Sequence, residues 1–168
     1  MNVTALTDSQ RKHLPKVRIQ LPTTAFDVLK QVARLVETEP KRLYMGTFHA
    51  AIQNTNQPAD SAPKCGTVGC LSGWSGFVLD LNGVSWSQTD PVVKALGLSY
   101  NQVRELFFPT ELVYGDESRS VIGPRKHAAL ALEHLRNFIT LNQAQLKAKQ
   151  ITKTELDNLR AEQGEFSL

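Results

Sequence analysis

Between residues 90 and 109 this chain carries helix stop and start signals so closely spaced that little freedom is left to the backbone. Asp90 is placed to cap a helix, Pro91 sits at its first position, and Gly97 closes it. Ser99 then caps a second helix, with Gln102 completing a capping box and Leu98 and Val103 at the staple positions. Pro109 lies just beyond Leu106, Phe107 and Phe108. The spacing predicts two short helices, Pro91–Leu96 and Tyr100–Phe107, joined by a tight turn.

Helical periodicity extends to the rest of the chain. Thr24 and Asp27 approximate a capping box, and Ala25, Val28, Leu29, Val32 and Val36 form one stripe ahead of Pro40. From Pro124 to about Lys147, a second stripe comprises Ala128, Ala131, Leu132, Leu135, Phe138 and Ile139. Thr152 with Glu155, and Ile151 with Leu156, predict a last helix ending near Gly164. Extended structure is expected in two places. Val17, Ile19 and Leu21 alternate with polar residues, and Asn82-Gly83 precedes the alternating Val84 and Trp86, which suits a small hairpin arm. Gln53–Lys64 reads as a loop by composition. The expected fold is mainly α: a compact helical domain of five to seven helices with one or two short β strands or a small hairpin.

At 168 residues the chain suits one domain with its own core. Residues 1–16 are polar and aperiodic and read as a flexible basic arm, leaving 17–168 as a single globular helical domain. The net charge of +3 is concentrated at the start. Residues 1–20 hold Arg11, Lys12, Lys16 and Arg18 against Asp8, so the remaining residues are neutral in sum. A body that reads a phosphate backbone concentrates more positive charge than that. Met1–Gln20 has no continuous apolar run of the secretory kind, and no stretch reaches the roughly 20 apolar residues of a membrane helix. A cytoplasmic location is expected, with no membrane partner. Cysteines in such a compartment stay reduced.

The segment from Cys70 to Leu81 raises the functional question. Cys70, Leu71, Trp74, Phe77, Val78 and Leu81 follow one helical face, while Ser72, Gly73, Ser75 and Gly76 occupy the other. Glycine costs a helix about 1 kcal/mol relative to alanine. Two glycines beside two serines therefore imply the close approach of another backbone or of a ligand. With the preceding loop, this gives a ligand- or partner-binding set of Cys65, Gly66, Thr67, Cys70, Ser72, Gly73, Ser75 and Gly76.

The order Tyr44-Met45-Gly46-Thr47-Phe48, Cys65-Gly66-Thr67-Val68-Gly69-Cys70-Leu71-Ser72-Gly73-Trp74, Ala95-Leu96-Gly97-Leu98-Ser99 and Leu106-Phe107 resembles a group of small uncharacterised phage and bacterial helical proteins with a Cys-Gly-Thr-x-x-Cys-x-x-Gly-Trp segment. Phe48 stands where the group more often has Trp, and Ser72 where Ala is usual. The resemblance spans about residues 41–108. It implies a helical domain of phage or bacterial origin and brings no activity with it.

Four kinds of site are weighed. A thiol site would use Cys70, near a helix start that favours a thiolate, with His127 or His134 as base. A metal site could begin from Cys65 and Cys70, but His13, His49, His127 and His134 supply no second pair at helical spacing, so no metal and no cofactor are expected. A helix-turn-helix through 91–107 would read DNA, yet its second helix offers only Arg104 as a cation. A partner surface could use the aromatics Trp74, Trp86, Phe107, Phe108 and Tyr114, provided Phe107 and Phe108 are both at the surface. The preferred reading is a non-enzymatic phage or bacterial accessory protein that binds a host or phage protein, or else a small ligand. The alternatives are a thiol-dependent hydrolase or transferase using Cys70 with His127 or His134, and a helix-turn-helix DNA-binding regulator. Oligomeric state is left open.

Overall fold

The computed structural model describes residues 22–45, 49–50, 68–81 and 90–165. These form a mainly helical assembly. The helices are α1 (Ala25–Thr38), α2 (Leu71–Leu79), α3 (Pro91–Leu96), α4 (Tyr100–Phe107), α5 (Thr110–Tyr114), α6 (Arg119–Ile122), α7 (Pro124–Leu141), α8 (Gln143–Ala148) and α9 (Lys153–Glu165), with a 3₁₀ turn at Pro40–Arg42. A two-residue antiparallel ladder pairs β1 (His49–Ala50) with β2 (Val68–Gly69), His49 opposite Gly69. The two stretches read from sequence as extended, 17–21 and 82–87, lie outside the described residues, as do the arm 1–16 and the loop 53–64.

The caps form where the side chains predict them. Thr24 and Asp27 make both halves of a capping box at α1. Three hydrogen bonds from Thr23 and Thr24 converge on one Asp27 oxygen. Burial alone would raise the Asp27 pKa, but these donors outweigh it and hold the carboxyl below its usual range. Asp90 accepts from the Val92 N–H at 2.8 Å, Gly97 turns the chain at φ +62°, and Ser99 with Gln102 completes its box. Leu98 and Val103 are both buried.

Nine helices rather than five to seven occur among the described residues, for two reasons. The expected helix from Pro124 to Lys147 breaks at Asn142. There the side-chain amide competes with the backbone N–H for the carbonyl of Phe138, both at 3.0 Å. The connection 109–123 also contains two single-turn helices, α5 and α6. Gly115 ends α5 so tightly that a Cβ there would lie 2.8 Å from the backbone of Glu111.

The core is built around α1, which packs against both α7 and α2. Leu29, Leu35, Leu71, Trp74, Leu135 and Phe138 are among its largest buried side chains. The start of α1 is tied to the end of α8 by backbone bonds from Ala25 N–H to Lys149 O and from Ile151 N–H to Thr23 O. The end of α2 is held by Arg160 of α9, whose guanidinium donates to the carbonyls of Leu79 and Asp80. Asp80 adopts the left-handed conformation at φ +55°, so α2 stops at Leu79, short of the expected Leu81. No described helix is long and apolar enough to cross a membrane.

Candidate functional site

The chemistry of Cys70 is set by its place at the start of α2. Its backbone is extended, and its sulfur accepts from the Gly73 N–H at 3.5 Å, so the thiol serves as the helix N-cap. Cys70 is 2% exposed. Burial pushes its pKa up to about 11, against the partial relief of the nearby N–H groups, and Asp90 adds to the rise. The helix start was expected to favour a thiolate; desolvation prevails and the group is a neutral thiol at physiological pH.

His127 lies within the buried stripe of α7 rather than at its edge, one helical turn before Ala131. Both ring nitrogens are engaged by backbone. The Met45 N–H donates to Nε2 at 3.2 Å, and Nδ1–H donates to the carbonyl of Glu117 at 2.9 Å. These partners require the neutral ring with its proton on Nδ1. Burial lowers the pKa, the Glu117 carbonyl opposes this, and the charge of Arg119 reinforces it. Tyr44 meets the imidazole edge-on at 6.4 Å and carries the Arg119 guanidinium over its own ring at 5.5 Å. His127 thus joins α7 to the turn at Met45 and to the segment before α6. Neither nitrogen is left to take a proton from a thiol. His134 is partly exposed, and its Nε2–H donates to the carbonyl of Glu105 at 2.7 Å, linking α7 to α4.

The small-residue face of α2 is enclosed. Ser72 is 2% exposed, Ser75 is fully buried with its hydroxyl donating to Leu71 O, and Gly73 and Gly76 are buried with them. Only Phe77 of this helix is partly exposed. The expected two-faced helix is therefore buried all round, with α1, α3 and α4 packed about it. Cys70, Ser72, Gly73, Ser75 and Gly76 are thus buried and present no free surface in the structure. Cys65, Gly66 and Thr67 lie outside the described residues. The aromatic surface is also not formed as posed. Trp74 and Phe107 are buried, Phe108 packs half-buried against the core, and Trp86 lies outside the described residues. Tyr114 is exposed. On α4, Tyr100, Asn101, Arg104 and Glu105 face solvent, while the Gln102 amide donates to Asn142 and Gln145. Among the described residues no group of three or more His, Cys, Asp or Glu is placed to hold a metal ion.

One concavity among the described residues was not anticipated. An open groove of about 1010 Å³ runs between α1 and α7. Its floor includes Phe26 and the buried Ala33 and Ile139, and its rim includes Lys30, Arg34, Glu37 and Arg136. Glu37 and Arg136 pair across it at 2.9 Å. Lys30 and Arg34 could have been read from the sequence as the solvent face opposite the α1 stripe. That α7 lies alongside them is a tertiary fact with no local signal.

Comparison with protein-family models, with curated proteins and with solved structures found no match to the chain.

Proposed function

We propose that the protein is a non-enzymatic accessory protein, phage or bacterial as its Cys-Gly-Thr segment suggests, acting in the cytoplasm by binding a partner protein. One observation supports this reading above the others: the thiol that a thiol mechanism would need, and one of its two candidate bases, are fixed into the frame, while the other candidate, His134, is tied through Nε2 to the Glu105 carbonyl. Cys70 is a buried neutral cap with a pKa near 11, and both nitrogens of His127 are held by backbone. An activated thiol requires the reverse, a lowered pKa and an accessible sulfur. The partner surface is assigned to the exterior of the helices, away from the enclosed face of α2.

The test is co-purification of the tagged full chain from its native host, run in parallel with Cys70→Ser. The same partner recovered with both supports binding. A partner recovered only as a covalent adduct of Cys70, or an activity abolished by Cys70→Ser in a variant that still folds, overturns it.

A further inference from the structure

We infer that the groove between α1 and α7 is the docking surface and that its occupant is an acidic, amphipathic peptide segment of a partner protein. The inference rests on the reading of the protein as a binding module and deepens it.

The electrostatics of the groove are asymmetric. Of its two carboxylates, Asp27 is consumed by the capping box of α1 and Glu37 is paired with Arg136. Lys30 and Arg34 have no carboxylate partner among the described residues. They are one helical turn apart on the exposed side of α1, so both point along the same rim. Lys147 of α8 adds a third cation, with its ammonium 5.0 Å from the Phe26 ring, while the Lys30 ammonium lies 5.8 Å from it. The ring thus keeps two ammonium groups close to an apolar floor. Carboxylates recurring once per turn would meet Lys30 and Arg34, and apolar side chains between them would cover Phe26 and Ile139. A nucleic acid fits less well. The ionised Asp27, whose partners are all neutral donors, would repel a continuous phosphate backbone, whereas a peptide can place its charges selectively.

The experiment is fluorescence anisotropy with the full chain and three labelled probes. The first is a Leu/Glu peptide with glutamates at one-turn spacing, the second replaces every Glu by Gln, and the third is a single-stranded oligothymidylate. The expected result is binding of the Glu peptide that weakens with salt, with the Gln peptide at least tenfold weaker. The Lys30→Glu/Arg34→Glu double variant should lose at least tenfold and Arg104→Glu on α4 should lose nothing. Lys30→Gln/Arg34→Gln, checked by circular dichroism, serves if the charge reversal disturbs folding. No binding of the Glu peptide, equal binding of the two peptides, preference for the oligonucleotide, or indifference to both double variants overturns the inference. A partner captured equally by wild type and the Lys30/Arg34 variants would refute the groove while leaving the binding function standing. Covalent capture through Cys70 would refute the function itself.

Discussion

Replacing His127 by Gln should flatten the acid limb of the stability curve. The imidazole is neutral in the folded protein because its ring is buried and its Nε2 must accept from the Met45 N–H. Its folded pKa is depressed below the ordinary 6.5, whereas the unfolded chain titrates at that ordinary value. The stabilisation is therefore fully present above about pH 6.5 and is lost as pH falls from there toward the folded pKa. In that window one proton binds to the unfolded state and not the folded one, which gives a slope of about 1.4 kcal/mol per pH unit. Other groups titrate too, so the informative quantity is the difference between two proteins. Gln at 127 can accept from Met45 with its amide oxygen but cannot ionise. Urea unfolding followed by tryptophan fluorescence, repeated from pH 8 down to about pH 5, should show wild type losing stability more steeply than His127→Gln by up to this slope. His127→Phe leaves a buried N–H and a partly buried carbonyl without partners and should cost about 2–4 kcal/mol at pH 8. Parallel curves for wild type and His127→Gln, or a wild type that gains on the variant as pH falls, would refute the assignment of a buried neutral ring.

Further variants test the packing. Gly76→Leu introduces a large side chain on the enclosed side of α2 and should destabilise by about 1–3 kcal/mol or prevent folding, read from the urea midpoint. A neutral effect would mean that this face is open. Gly115→Ala should cost about 1–3 kcal/mol because its Cβ would lie 2.8 Å from the Glu111 backbone; unchanged stability would contradict the turn geometry. Asp90→Ala removes the acceptor for the Val92 N–H and should cost about 0.5–2 kcal/mol by the same assay.

The helix caps were legible because each is a local event. Thr24 with Asp27, Asp90 with Pro91 and Gly97, and Ser99 with Gln102 all act within one or two turns, and the backbone follows them. Interactions between distant segments were not legible. The sequence offered His127 as a candidate base, but its hydrogen bond to Met45 spans 82 residues and turns it into a structural joint. The spacing on α2 left its Ser/Gly side open between close approach of another backbone and of a ligand, because small residues mark a close contact without naming what makes it. In the folded chain that side is buried along with the rest of the helix. Cys70 illustrates the same limit: the sequence gives its position at a helix start, while its pKa is decided by the solvent that the other helices exclude. The groove needed both α1 and α7, and each helix alone shows only an ordinary polar face.

The claim that Cys70 belongs to the frame is tested most directly by its alkylation rate. In a Cys65→Ser background at neutral pH, iodoacetamide should modify Cys70 at least tenfold more slowly than it modifies glutathione, since a pKa near 11 leaves about one thiol in ten thousand ionised at pH 7 and the sulfur is 2% exposed. Urea should restore an ordinary rate. Native-state labelling as fast as glutathione or faster would contradict the account and return the thiol to the centre of the chemistry.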